Sequence, residues 1–68
     1  MSDATYKTVD IIGSSPDSIE DAINGAISKA SESIHNLGWF QVDEIRGHIT
    51  EGKVAHYQVG VKLGFRLD

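Results

Sequence analysis

The sequence predicts an α+β fold of β-α-β-β order, in which a three-stranded antiparallel sheet carries one helix packed on one face. Three patterns predict it. Apolar residues alternate with polar ones near the N-terminus, recur at three- and four-residue spacing in the middle, and alternate again on both sides of a Glu51-Gly52 turn. The 68 residues are the size of one domain, so we assign residues 1–68 to a single domain.

The first strand is predicted over residues 5–12, a segment rich in β-branched side chains. Val9 and Ile11 alternate there with Thr8 and Asp10, as in a strand with one buried face.

The helix is predicted to begin in the segment GSSPDS, with Ser15 as its N-cap, Pro16 at its first helical position and Asp17 where the helix dipole favours negative charge. Its spacing pattern predicts one buried face, made of Ile19, Ala22, Ile23, Ala26, Ile27, Ala30 and Ile34. We expect the segment HNLG to end the helix, with Asn36 or Gly38 as a left-handed cap.

The remainder is predicted to form a hairpin with strands over residues 39–50 and 53–67. The segment ITEGK indicates a type I turn with Gly52 in the left-handed position. One face of the last strand is apolar and is expected to pack on the helix; it consists of Tyr57, Val59, Val61, Leu63, Phe65 and Leu67.

The middle strand changes phase near Asp43 and Glu44. Phe40 and Val42 place even-numbered residues on the inner face, whereas Ile45 places odd-numbered ones there. One extra residue, a β-bulge, restores agreement. The outer face then holds Trp39, Gln41, Arg46, His48, His56, Gln58 and Lys62.

This outer face has no helix to cover it, and its residues are not the charged set of a solvated sheet. A chain of this length also buries only about 60% of its unfolded surface. The sequence contains no cysteine, so no disulfide can stabilise the domain. We therefore predict that the protein oligomerises.

Composition argues against two classes of partner. Ten acidic and six basic residues give a net charge of −4, and the basic residues are scattered, so nucleic acid is not an expected partner. The sequence has no apolar run of the roughly 18 residues that a membrane span requires and no secretory signal. We predict a cytoplasmic protein without a membrane partner.

Trp39 is the most informative residue of the outer face. The predicted register places Gly64 opposite it, and a glycine within a strand often marks the close approach of a backbone or ligand. The indole could therefore stack on a planar ligand. Alternatively, it covers Gly64 or packs in an ordinary subunit contact.

Two polar residues extend this candidate site. The Gln58 amide both donates and accepts, which suits the edge of a planar heterocycle, although a solvated strand residue is the simpler interpretation. Arg46 could stack on a ring or hold a phosphate, or it could form an ion pair with Glu44 or Asp43.

No catalytic or metal site is predicted. His35 lies at the end of the helix, whereas His48 and His56 lie on separate strands with no carboxylate at ligand spacing. The serines of GSSPDS are accounted for by helix capping, and no nucleophile is paired with a base.

Three segments together, GSSPDSIEDAI, GWFQVDEIRGHI and GKVAHYQVGVKLGFRLD, the last of which contains YQV and GFR, resemble the dodecin family over nearly the whole chain. The resemblance implies a β-α-β-β protomer that assembles into a hollow homododecamer and stores or sequesters flavins such as riboflavin or FMN, without enzymatic activity. It implies that flavin pairs stack between tryptophans of neighbouring subunits, which assigns flavin binding to Trp39, ring-edge hydrogen bonding to Gln58 and a place at the flavin site to Arg46.

Some bacterial relatives bind coenzyme A through basic residues, and the resemblance makes Lys7, Lys29 and Arg66 the weaker candidates for that role. Alternative functions are a flavin-dependent reductase and a structural oligomer that binds coenzyme A. Stacking on both sides would close the reactive edge of the flavin to a substrate, which favours storage over reduction.

Overall fold

The computed structural model describes residues 3–67 and confirms the β-α-β-β fold. The elements are β1 (Thr5–Ser15), α1 (Ile19–Ala30), β2 (Leu37–Thr50) and β3 (Lys53–Leu67). The strand order is β1-β3-β2, and both strand pairs are antiparallel. No helix within the described residues is long and apolar enough to cross a membrane.

The core lies between α1 and the two strands that it covers, β1 and β3. Val59, Val61 and Leu63 are buried, which confirms that this face of β3 packs on the helix, but Leu67 is exposed. Small residues let the helix approach closely. A Cβ built on Gly13 of β1 would overlap the Ala22 carbonyl oxygen.

The helix begins later than the sequence predicted. Its N-cap is Ser18, whose hydroxyl accepts a hydrogen bond from the Asp21 amide at 2.9 Å. Ser15 is instead the last residue of β1, buried and paired with Tyr57. This pairing keeps the chain extended as far as Ser15. As a result, Pro16 and Asp17 lie before the helix and not in its first turn.

The Ser15 hydroxyl still stabilises the junction between β1 and α1. It accepts from the Asp17 amide at 2.9 Å and donates to Asp21 Oδ2 at 2.7 Å. The hydroxyl can both donate and accept a hydrogen bond, and here it does both. Its polar group therefore has hydrogen-bond partners although the residue is only 2% exposed.

The helix also ends earlier than predicted, at Ala30, with Ser31 as a right-handed C-cap. Ile34 therefore lies beyond the helix, in a connection closed by its amide hydrogen bond to the Ala30 carbonyl at 3.0 Å. Asn36 does adopt the left-handed conformation, with φ of 65°, but it precedes β2 and does not cap α1. Gly38 does not have a positive φ.

The hairpin turn differs from the predicted type I turn. Glu51 and Gly52 both have positive φ, 52° and 74°. Positive φ at both residues is typical of a two-residue hairpin loop, whose backbone twist matches that of the flanking strands. The predicted bulge is confirmed, since the register shifts between Val42 and Glu44 and leaves Asp43 without a partner. Further register shifts lie between Leu37 and Trp39 and after His48.

The inner face of β2 is only partly covered. Phe40 and Ile45 pair with core residues of β3, as predicted, yet they are 49% and 58% exposed because α1 lies over β1 and β3. An apolar stripe is left uncovered on the helix side of the hairpin: Phe40, Val42, Ile45, Ile49 and Val54.

Candidate functional site

Trp39 lies on the outer face of the sheet, opposite Gly64 as predicted. A Cβ built on Gly64 would overlap indole atoms Cε2 and Cζ2 and would lie 2.7 Å from Cδ2. The ring therefore packs on the strand backbone where a side chain is absent. Because the residue stays 42% exposed, the indole presents aromatic surface for stacking.

Tyr6 is a member of this site that the sequence did not predict. Its ring centroid lies 6.3 Å from that of Trp39, and the two planes are inclined at 48°. Tyr6 belongs to β1, whose neighbour in the sheet could not be read from the sequence. Pairing of Tyr6 with Arg66 brings it next to the Trp39–Gly64 pair.

The space around Trp39 is not an enclosed pocket in a single chain. The cavity that Trp39 helps to border extends toward the helix side, since Ile27 and Leu63 also border it, and its volume is about 150 Å³, whereas pockets for ligands of drug size span about 300–1,000 Å³. This cavity is bordered by Ile27, Leu37, Gly38, Trp39, Phe40 and Leu63. A ligand as large as a tricyclic ring would need further surface, from a second chain.

Arg46 and Gln58 are direct cross-strand neighbours, which places both polar side chains together on the outer face. Arg46 Nη2 donates to Glu44 Oε1 at 2.7 Å, so the ion-pair interpretation holds for Glu44. Asp43 has a different partner, because its Oδ1 accepts from Gln41 Nε2 at 3.3 Å.

The structure does not bring Trp39 and Gln58 together within one chain. Gly64, the partner of Trp39, lies six residues along β3 from Gln58. Two residue pairs of the outer face, Gln41 with Lys62 and Glu44 with Gly60, separate these ends of the site.

The three candidates for coenzyme A are also dispersed. Lys29 lies on α1, where its ammonium group is 3.9 Å from the Glu32 carboxylate in an exposed pair. Lys7 of β1 pairs with Phe65, which is an inner-face position. Arg66 pairs with Tyr6, which places Arg66 on the outer face. Arg66 borders an open cavity of about 200 Å³ that Tyr6 and Gly38 also line.

The three histidines lie in two separate parts of the fold. His48 and His56 face each other across the hairpin, and His35 lies in the connection after the helix. Within residues 3–67, no group of three or more His, Asp or Glu side chains is placed to hold a metal ion.

Residues 5–68 match the family model Dodecin. The chain belongs to the dodecin family. A dodecin of Thermus thermophilus is 44% identical over 63 residues, which cover 93% of this chain and 91% of that protein. The solved dodecin of Streptomyces coelicolor is 47% identical, with a TM-score of 0.93 over 100% of this chain and 97% of that one. Dodecins are small binding proteins that assemble into oligomers.

One solved relative has a calcium-binding site. The dodecin of Mycobacterium tuberculosis, described as a calcium-chelating antigen with a calcium-binding site, is 28% identical. Its TM-score is 0.81 over 94% of this chain and 91% of that one. Family membership alone therefore does not decide the ligand, and the residues of this site must.

Proposed function

We propose that this dodecin binds flavins, riboflavin or FMN, for storage or sequestration, by stacking the isoalloxazine ring on Trp39. The observation that carries the proposal is the indole itself, which packs on Gly64 and remains 42% exposed. An exposed tryptophan supported by backbone is a platform for a planar, electron-poor ring, and stacking on aromatic side chains stabilises bound bases by about 1–3 kcal/mol.

The polar end of the outer face supports the same ligand. The Gln58 amide offers both a donor and an acceptor, as the alternating ring edge of a flavin requires. Arg46, its cross-strand neighbour, supplies a planar cation that hydrogen-bonds carbonyl or phosphate oxygens. Gln58 and Arg46 would thus contact a flavin that is held between surfaces of different chains.

We extend the proposal to a cytoplasmic homododecamer without enzymatic activity. The exposed apolar stripe of the hairpin requires cover, which other copies of the chain would supply. A bound flavin brings photochemistry, and the indole in contact with it is placed to donate an electron to the light-excited ring and so to quench its emission. Sequestration needs no general base or nucleophile.

Titration of riboflavin with purified protein tests the proposal. We expect flavin fluorescence to fall on binding in the wild type and much less with Trp39→Ala at the same protein concentration. A chain that binds calcium but leaves riboflavin fluorescence unchanged would contradict the proposal. Steady consumption of a reduced nicotinamide in the presence of flavin and an acceptor would instead support a reductase.

Coenzyme A is a second, weaker candidate ligand. Arg66 is the basic residue that supports it, because it borders an open cavity beside Tyr6 at the Trp39 end of the outer face. Calorimetric titration with coenzyme A, in the wild type and in Arg66→Gln, would test this role separately from flavin binding.

A further inference from the structure

Glu44 occupies the centre of the outer face, between the Trp39 end and the Gln58 end. It follows the bulged residue Asp43 and pairs with Gly60 on β3. The side chain lies over this glycine, since a Cβ built on Gly60 would be 3.6 Å from Glu44 Oε1. The space that Gly60 leaves on the sheet is thus filled by a carboxylate of the same chain.

This carboxylate engages the cation of the candidate flavin site. The distance of 2.7 Å between Glu44 Oε1 and Arg46 Nη2 is that of a short, charge-assisted hydrogen bond. The two side chains are 64% and 41% exposed, so a ligand could reach the pair. Arg46 therefore meets a ligand with its positive charge already compensated.

The surroundings add further negative charge. A cavity of about 300 Å³ at this place is lined by Asp10 and Asp43 as well as Glu44. Lys62 is the other cation of this part of the outer face, and it pairs in register with Asp10 and Gln41. This part of the outer face thus has three carboxylates and two cations. The excess of negative charge disfavours the binding of an anionic ligand group.

We infer that Glu44 is a specificity-determining residue that weakens recognition of the phosphate group of FMN relative to riboflavin, because it holds Arg46 in an ion pair. This inference rests on the proposed flavin function. Riboflavin and FMN share the isoalloxazine ring, so stacking on Trp39 contributes equally to both. The ratio of their dissociation constants therefore isolates the contribution of charge at the phosphate.

The test compares Glu44→Gln with Asp43→Asn. Both substitutions remove one negative charge at neighbouring positions, but only the first releases Arg46. We expect Glu44→Gln to raise the affinity for FMN relative to riboflavin by about two- to fivefold, the range of an exposed ion pair, and Asp43→Asn to change the ratio less than half as much. The difference should shrink in 1 M salt, which screens exposed charges.

The outcomes separate the two proposals. An unchanged ratio in Glu44→Gln would overturn the inference, as would an equal change in Asp43→Asn, because the effect would then come from general charge and not from Arg46. If the wild-type protein binds neither flavin, the flavin function itself is wrong and the inference falls with it. Sedimentation of each variant shows whether the oligomer is intact.

Discussion

The indole of Trp39 lies on the backbone of Gly64, so closely that one methyl group at residue 64 would overlap it. The two residues are direct partners in the β2–β3 ladder. A glycine at this position lets the ring lie on the sheet, and the sheet in turn restricts the orientation of the ring. The stacking platform therefore depends on a pair of residues and not on the tryptophan alone.

The first prediction is that Gly64→Ala weakens riboflavin binding by about 1–3 kcal/mol, because the added methyl group lifts the indole off the sheet. Riboflavin titration measures the loss, and the tryptophan emission spectrum reports the displaced ring.

The matched control is Gly25→Ala on the exposed surface of α1, where a Cβ would meet nothing within 4 Å. This variant should leave riboflavin binding unchanged and should raise the free energy of unfolding by about 0.5–1 kcal/mol per chain, as expected for glycine replaced by alanine in a helix. Wild-type affinity in Gly64→Ala would show that the ring does not need this support.

The second prediction concerns the ring itself. Trp39→Ala should weaken riboflavin binding by about 1–3 kcal/mol, the contribution of an aromatic stack, and Trp39→Phe should cost less because it keeps a smaller aromatic face. Fluorescence titration gives both affinities. Sedimentation of both variants separates loss of binding from loss of assembly, and unchanged affinity in the alanine variant would exclude stacking on Trp39.

The sequence was sufficient to predict which face of the hairpin each side chain takes. Alternation along a strand is a local rule, and a single break in phase at Asp43 is enough to locate the bulge. Two register shifts, the one after His48 and the one at Asp43, together place Arg46 opposite Gln58 and return Trp39 to Gly64. The shared face of Arg46 and Gln58 and the position of Gly64 opposite Trp39 were therefore predictable, whereas the direct pairing of Arg46 with Gln58 was not predicted.

What the sequence could not supply depends on contacts between elements. Ser15 and Ser18 both have the chemistry of an N-cap, and the extension of β1 through Ser15, which decides between them, is a tertiary contact with β3. The position of Tyr6 beside Trp39 follows from the strand order. The exposure of Ile45 follows from a helix that covers two strands of three.

The third prediction is that the apolar stripe is an assembly surface. Ile45 is 58% exposed within the chain, and burial of such a side chain in a subunit contact contributes about 1.5–3 kcal/mol. Ile45→Lys should shift the protein to smaller species in sedimentation velocity, whereas Ile45→Val, which keeps the apolar character, should leave the wild-type species. An Ile45→Lys protein of wild-type mass would place the subunit contacts elsewhere.

The last prediction is that one flavin contacts Trp39 of one chain and Gln58 of another. Gln58 lies six residues from Gly64 along β3, and at about 3.3 Å per residue the two side chains are roughly 20 Å apart in a straight ladder. One tricyclic ring does not span that distance. A two-fold contact between copies would bring the tryptophan of each chain to the glutamine of the other.

Coassembly of Trp39→Ala chains with Gln58→Ala chains distinguishes the two arrangements. In a mixed two-fold pair, composite sites place both substitutions in one site and leave the other site with both wild-type residues. A fraction of sites should then recover wild-type riboflavin affinity, although neither parent protein shows it. If verified mixed assemblies contain only the two parental affinities, both residues act from one chain, and the sheet must bend enough to bring its two ends to the same ring.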